Sequence, residues 1–409
     1  MPKSTFFTGQ PVLNQLLSLI PRSLVSELSR KHKSDHYCKR FRAYDHLVSM
    51  LFSTFNRCGS LRELITGLQA NSYRLNHLGL FSTPRRSTLA DANKRRSSVF
   101  FEDLFHKLYH LHYGIIPDSL KNKGLSEKLF IVDSTTITLF SQVLKGVGVA
   151  GSNGKRKGGL KAHVLFNAKD QTPCFVHLTA ATQSDRVIMP MLRLPAGSVI
   201  VMDKAYVNYK VMSDWSARNI TWVTRLSASL RWEVIQNLPL TDYQKQQGVR
   251  SDNLIILGNP QTRKRNPLQR ARLVTFYDQA SEREFTFLTN NTDYSPSTIA
   301  NIYKKRWAIE LLFKRVKQNF QLYNFLGDNE NAIKIQLWCT LIADLLIKVV
   351  KDRVEKINKR KWSFANIAGL IRQHLTTYID LTRFLLNPDN AILECVPEQI
   401  NTQILLFKT

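Results

Sequence analysis

Apolar residues fall into two different rhythms along this chain. Up to about residue 118 they recur three and four apart, as in Val12, Leu16, Leu17 and Ile20, and again from Leu47 to Phe55. Proline and glycine are sparse between Phe41 and Leu78. That spacing puts the apolar side chains on one face of a helix and predicts a helical N-terminal domain over residues 1–118. Near residue 125 the rhythm changes to short apolar runs. Leu129-Phe-Ile-Val-Asp133 and Ser198-Val-Ile-Val-Met-Asp203 each end in a carboxylate. Leu160 to Asn167 and Cys174 to Ala181 flank a turn containing Asp170 and predict a hairpin. Helical sequence then leads to Thr221-Trp-Val-Thr-Arg225.

The resulting order is three strands, helix, strand, helix, strand. It matches an α/β, RNase H-like core, with the first three strands antiparallel and the rest parallel. Its first part is expected over residues 125–226. Residues 227–292 interrupt it with short β-type runs, including Leu254-Ile-Ile-Leu, Arg272-Leu-Val-Thr-Phe-Tyr and Glu284-Phe-Thr-Phe-Leu-Thr, and predict a mostly-β insertion. Trp222 and Trp232 flank its start and are expected in the core. A helix is predicted from about Pro296 to Phe320, so residues 293–325 would complete the core, followed by a helical C-terminal region over 326–409. The glycine-rich stretch Gly146 to Gly159 departs from the phosphate-binding pattern, with Val149 where the first glycine belongs and Arg156 after Lys155. It reads as a flexible loop, not a nucleotide site.

Composition narrows the partners. The 409 residues, 43% hydrophobic, suffice for two or three folded domains. The 58 Lys and Arg against 31 Asp and Glu give a net charge of +27. Such an excess suits a polyanion, because neutralising phosphates releases counterions; a ribosomal or membrane-surface partner fits the charge equally. Basic clusters lie at Arg30–Lys33, Lys39–Arg42, Arg85–Arg86 and Lys94–Arg96. The segment from Thr83-Pro to Arg96 reads as a capped helix start with a basic face, either solvated or against DNA. Five cysteines, none in a C-x-x-C pair, imply neither a disulfide framework nor a zinc knuckle. No signal-type apolar run follows Met1, and the longest apolar stretch, Leu337 to Val350, carries Asp344 and Lys348. A cytoplasmic protein with no membrane partner is expected.

Candidate chemistry centres on carboxylates. Asp133 and Asp203 end buried-type strands, and in an open α/β sheet such ends line the edge where sites are built. Taken singly, each also reads as a turn cap. On the predicted helix after Pro296, Tyr303, Arg306, Glu310 and Lys317 fall within about a 60° arc, beside an apolar arc of Ile302, Ile309, Phe313, Val316 and Phe320. A solvated helix edge with a Glu–Arg pair is the plainer explanation of that spacing. The chemical one is phosphodiester cleavage, in which carboxylates hold Mg²⁺ ions and Arg and Lys grip phosphate.

Here the sequence resembles the DDE transposases of bacterial insertion sequences, in particular insertion-sequence family four, whose signature is Y-x2-R-x3-E-x6-K. Tyr303, Arg306, Glu310 and Lys317 match that signature. Ile131-Val-Asp133-Ser-Thr-Thr, Val201-Met-Asp203-Lys-Ala-Tyr and Leu160-Lys-Ala-His-Val-Leu resemble the family's core blocks. The resemblance implies a cut-and-paste enzyme in which Asp133, Asp203 and Glu310 are catalytic and hold two Mg²⁺ ions, with Mn²⁺ as a substitute. It implies a DNA-binding N-terminal domain and contacts to DNA from Tyr303, Arg306 and Lys317, with Arg225 as a further candidate. Ser134, Thr135 and His163 read either as groups behind the site or as packing and turn residues. The partners implied are the inverted-repeat ends of a transposon, target DNA and a second copy of the chain in a synaptic complex; the location implied is the bacterial cytoplasm, at the nucleoid. A transposase-derived DNA-binding protein without catalysis is the main alternative. A glycosidase using a carboxylate pair is disfavoured by the +27 charge and the basic edge beside Glu310.

Overall fold

The fold is taken from a computed structural model, which describes residues 9–138, 149–150, 156–157, 159–263, 265–320, 325–358 and 360–389. The chain divides into two compact units, Met1–Leu108 with Arg315–Thr409, and Tyr109–Lys314. The two helical ends, separate in the sequence, therefore share one unit.

The reason lies in the 28-residue helix Glu330–Ile357, which buries side chains all round, from Ala332 to Val350. A helix apolar on every face needs cover on every face. Helices Ala43–Asn56, Arg86–Arg95, Phe364–His374 and Leu381–Leu386 supply it. The two charges that interrupt its apolar run are paired. Asp344 accepts two bonds from Arg315, at 2.9 and 2.7 Å, and Lys348 donates to Asp352 at 2.5 and 2.6 Å. Among the described residues no helix is long and apolar enough to cross a membrane.

The basic segment before residue 97 differs from expectation. Its helix begins at Arg86 with Arg85 at the N-cap and no side-chain cap bond, so Thr83 does not cap it. Lys94 and Arg95 are exposed, but Arg96 is buried and donates to the Ser34 and Phe41 carbonyls. One of the three adjacent cations thus ties down a loop and presents no charge to solvent.

The other unit is built on a nine-stranded sheet. Its strands are β1 (Leu129–Thr138), β4 (Gly159–Asn167), β5 (Thr172–Ala180), β6 (Val199–Met202), β7 (Thr221–Arg225), β8 (Trp232–Asn237), β9 (Val249–Leu257), β10 (Arg270–Asp278) and β11 (Arg283–Thr289). The short strands β2 (Val149–Ala150) and β3 (Arg156–Lys157) pair antiparallel with each other, within the stretch expected to be a loop. The rest of that glycine-rich loop, apart from Gly159, lies outside the described residues. Sheet order is β5-β4-β1-β6-β7-β11-β10-β9-β8. β4 runs antiparallel to both of its neighbours, β1 and β5, whereas β1, β6 and β7 run parallel. The parallel strands are apolar because both faces are covered: every residue of β6 is buried.

Two local expectations change. A 3₁₀ helix, Asp185–Met191, stands where a helix was read between β5 and β6. Strands β8 to β11 continue the same sheet, since β11 pairs antiparallel with β7. Trp222 is fully buried, as expected, but Trp232 is 36% exposed, because β8 is the edge strand and all its residues are exposed.

Arg272 and Asp252, each 4% exposed, form a two-pronged pair between β10 and β9, at 2.8 and 2.6 Å. Arg272 also donates to the Asn291 and Tyr294 carbonyls ahead of helix Pro296–Lys304. Arg272→Ala strands a buried carboxylate and two carbonyls, so it is expected to destabilise this unit by about 3–5 kcal/mol. Thermal unfolding of the variant checks this, and a melting curve unchanged from the parent contradicts it.

Candidate active site

Asp203 follows the end of β6 as expected. β1, however, runs on past Asp133 to Thr138 because its antiparallel pairing with β4 continues, so Asp133 is mid-strand, where the parallel pairing with β6 stops. β1 and β6 are parallel neighbours in a register that sets Val132 beside Met202, and each carboxylate is the next residue. Asp203 leaves its strand into a 3₁₀ turn, Lys204–Tyr206, and its Oδ1 accepts from Ala205 N at 3.1 Å. The Ser134 amide donates to Asp133 Oδ1 at 2.8 Å.

The expected single helix from Pro296 to Phe320 is broken. Pro296–Lys304 and Trp307–Phe320 are separate helices, with Lys305 and Arg306 in the turn between them. The bonds Arg306 N to Tyr303 O and Ala308 N to Lys305 O tighten that turn. The common helix edge inferred for Tyr303, Arg306, Glu310 and Lys317 is therefore not the geometry here. Placed in the turn, Arg306 bridges two carboxylates. Its Nη1 donates to Asp133 Oδ2 at 2.7 Å and its Nη2 to Glu310 Oε1 at 2.5 Å.

Tyr303 is turned inward. Its ring is 8% exposed and lies 4.9 Å from that of Phe287, with the Arg306 guanidinium 5.9 Å from its centre. Burial pushes its phenol above the ordinary range. Arg225 is exposed at the end of β7, its guanidinium 5.3 Å from the centre of the Phe285 ring. Lys317 lies two turns beyond Glu310 on the same helix, past the limit of this unit, and burial pushes its ammonium below the usual value.

The site is electrostatically loaded. Burial pushes the Asp133 carboxyl up to about 6; the Ser134 amide and Arg306 pull it back, and the charges of Asp203 and Glu310 push it further up. The charges of Asp203 and Glu310 thus both reach Asp133. Among the described residues no group of three or more His, Cys, Asp or Glu side chains is arranged to hold a metal ion. The reason is visible: a guanidinium stands between Asp133 and Glu310, where a cation held by both would stand. The donor set nevertheless suits a hard divalent cation, being all carboxylate oxygen on converging elements, with a negative charge that already attracts a cationic group.

Of the groups read as standing behind the site, Ser134 donates its hydroxyl to Asp185 Oδ1 at 2.9 Å. His163 is fully buried, with Nε2 2.9 Å from Thr179 Oγ1. Asp185 itself was not legible in the sequence. It follows Gln183-Ser184 in polar sequence, with no apolar run leading to it.

Residues 124–346 match a family model described as the transposase DDE domain. The chain belongs to the DDE transposase family. Residues 8–81 match a second model, described as a domain of unknown function (DUF4372). A Sinorhizobium fredii protein described as a transposase, y4zB, is 26% identical over 323 residues, covering 78% of this chain and 86% of that protein. A Geobacillus stearothermophilus protein described as a transposase for insertion sequence element IS5377 is 30% identical over 237 residues, covering 58% and 60%. The Escherichia coli transposase InsG of insertion sequence element IS4 is 24% identical over 194 residues, covering 44% and 42%. Like these relatives, this DDE transposase is a mobile-element protein of DNA transposition and recombination.

Proposed function

We propose that this DDE transposase binds the inverted-repeat ends of its transposon and moves it by cut-and-paste, through metal-dependent strand cleavage and strand transfer. The carrying observation is that Asp133 and Asp203 stand side by side where the parallel pairing of β1 and β6 stops, with Arg306 bridging Asp133 to Glu310. On this reading β1, β4, β5, β6 and β7 form an RNase H-like catalytic core, β8 to β11 its insertion, and the helical residues up to 118 the DNA-binding domain. Asp133, Asp203 and Glu310 would hold two Mg²⁺ ions, or Mn²⁺ in their place, which activate the attacking water or 3′-hydroxyl and stabilise the leaving oxygen. Arg306 would exchange its carboxylate partners for a phosphate of the DNA end, since its planar fork fits two oxygens of either. Arg225 and Lys317 would bind the DNA backbone, and Tyr303 would act at the cleaved end once uncovered. Two copies of the chain would pair the ends in the bacterial cytoplasm, at the nucleoid.

The test is purified protein with Mg²⁺ and duplexes cut from the DNA flanking its gene. Nicking at the ends of a pair of inverted repeats supports the reading. Tight end binding with no nick in Mg²⁺ or Mn²⁺ supports instead a DNA-binding protein without catalysis, a reading favoured by the guanidinium between Asp133 and Glu310. Lys317→Ala is expected to weaken end binding at every sequence and to lower the slope of log affinity against log salt by about one. Filter binding from 50 to 200 mM salt measures this; a slope equal to the parent's removes Lys317 from the interface.

A further inference from the structure

Asp185 gathers three groups from two neighbouring strands onto one oxygen. Its Oδ1 accepts the Ser134 hydroxyl at 2.9 Å and lies 3.2 Å from Lys161 Nζ and 3.5 Å from His163 Nδ1. Ser134 is on β1, directly after Asp133, while Lys161 and His163 are on β4, with His163 paired in register to Ser134. Ser134 therefore has two duties. Its amide holds Asp133 Oδ1 at 2.8 Å, and its hydroxyl is held by Asp185.

The same cluster reaches the second aspartate. Tyr206 is 1% exposed and stands edge-on to His163, with ring centres 6.5 Å apart at 89°. It closes the turn that follows β6, since its amide donates to the Asp203 carbonyl at 3.0 Å. The Tyr206 phenol also lies within electrostatic reach of Asp133, Asp185 and Asp203. Asp185, itself only 20% exposed, thus connects the backbone on which Asp133 sits to the turn on which Asp203 sits.

From this geometry we infer that Asp185 is a positioning residue for cation binding, acting through Ser134 on Asp133 and through His163 and Tyr206 on the Asp203 turn. The inference rests on the proposed metal-dependent reading of the site. Groups that orient a ligating carboxylate typically change metal affinity about 10–100-fold when removed.

The test uses the full chain and two measurements. Mn²⁺ binding is followed by calorimetry or electron paramagnetic resonance, independently of nicking, and end nicking is titrated with Mn²⁺. Asp185→Ala is expected to raise the half-saturating Mn²⁺ about 10–100-fold in both, with affinity for end DNA in EDTA within about twofold of the parent. Asp185→Asn keeps an oxygen for Ser134 and is expected to recover most of that loss, which also guards against a folding defect in the alanine variant. Ser134→Ala is expected to shift Mn²⁺ in the same direction. The Ser134→Ala/Asp185→Ala double variant should lose little more than Asp185→Ala alone, because the two lie on one route. Additive losses, or a silent Ser134→Ala beside a weakened Asp185→Ala, overturn the route through Ser134. A parent-like Mn²⁺ response in Asp185→Ala overturns the inference while leaving the site intact. A parent protein that neither binds Mn²⁺ nor nicks overturns the site and the inference together.

Discussion

Asp203→Ala, Asp133→Ala and Glu310→Ala are each expected to lower end nicking by about 10³-fold or more, while end binding in EDTA stays near the parent value. The magnitude follows from what a divalent cation supplies. Several kcal/mol of charge stabilisation at the attacking and leaving oxygens corresponds to about three or more powers of ten in rate. Losing one of three ligands removes most of it. Asp203→Ala is the cleanest of the three, because among the described residues the Asp203 side chain makes a turn bond to Ala205 N and no ion pair with Arg306. Glu310→Ala and Asp133→Ala also take one partner from Arg306, so each frees the guanidinium for phosphate and should leave DNA affinity equal or slightly raised. Glu310→Gln separates shape from charge: a neutral amide of the same size should nick no better than alanine. Single-turnover nicking beside gel-shift binding reads both quantities. Parent-like nicking by any one alanine variant would remove that residue from the site.

Asp133→Asn is expected to make the metal-free protein more stable at pH 8, an unusual outcome for a change at a buried charge. The folded state pushes the Asp133 carboxyl from its ordinary 3.8 up to about 6, first through burial. Its side chain is only 18% exposed, so solvent screening is modest. Because the folded pKa is raised, the folded protein keeps a proton between pH 4 and 6 that the unfolded chain has already lost. Stability therefore falls as pH rises through that window, and above pH 6 ionised Asp133 costs about 3 kcal/mol. Asparagine removes that penalty, and Arg306 keeps Glu310 as its partner. The variant should melt roughly several degrees above the parent at pH 8, and the gap should close as pH falls toward 4. Mn²⁺ should narrow the gap from the other side, since an ion bound to the folded parent stabilises it by mass action. Scanning calorimetry at pH 4 to 8, with and without Mn²⁺, measures all three trends. A variant that melts below the parent at pH 8 would show that the Arg306 pair outweighs burial.

How much of this was legible beforehand differs by residue. The apolar runs leading to the candidates Asp133 and Asp203 were legible, because buried parallel strands are apolar along their length, but that β1 continues past Asp133 to Thr138 was not. Glu310 was legible too, through its spacing from Tyr303 and Arg306. The helix that was to display them was read as continuous, because nothing in the composition of residues 296–320 breaks a helix. The turn at Lys305 and Arg306 is made by tertiary structure: Tyr303 packs onto Phe287, and Arg306 turns toward Asp133, 173 residues away in sequence.

The sequence by itself determined the central strands and the family, and it singled out Asp133, Asp203 and Glu310 as candidates, since each of these signals is encoded by near neighbours. The tertiary structure alone decided that Arg306 stands between two of those carboxylates, that Asp185 lies behind them, and that β8 to β11 extend the core sheet. These depend on pairings between distant segments, where the favourable contact is made by a partner that no local pattern names.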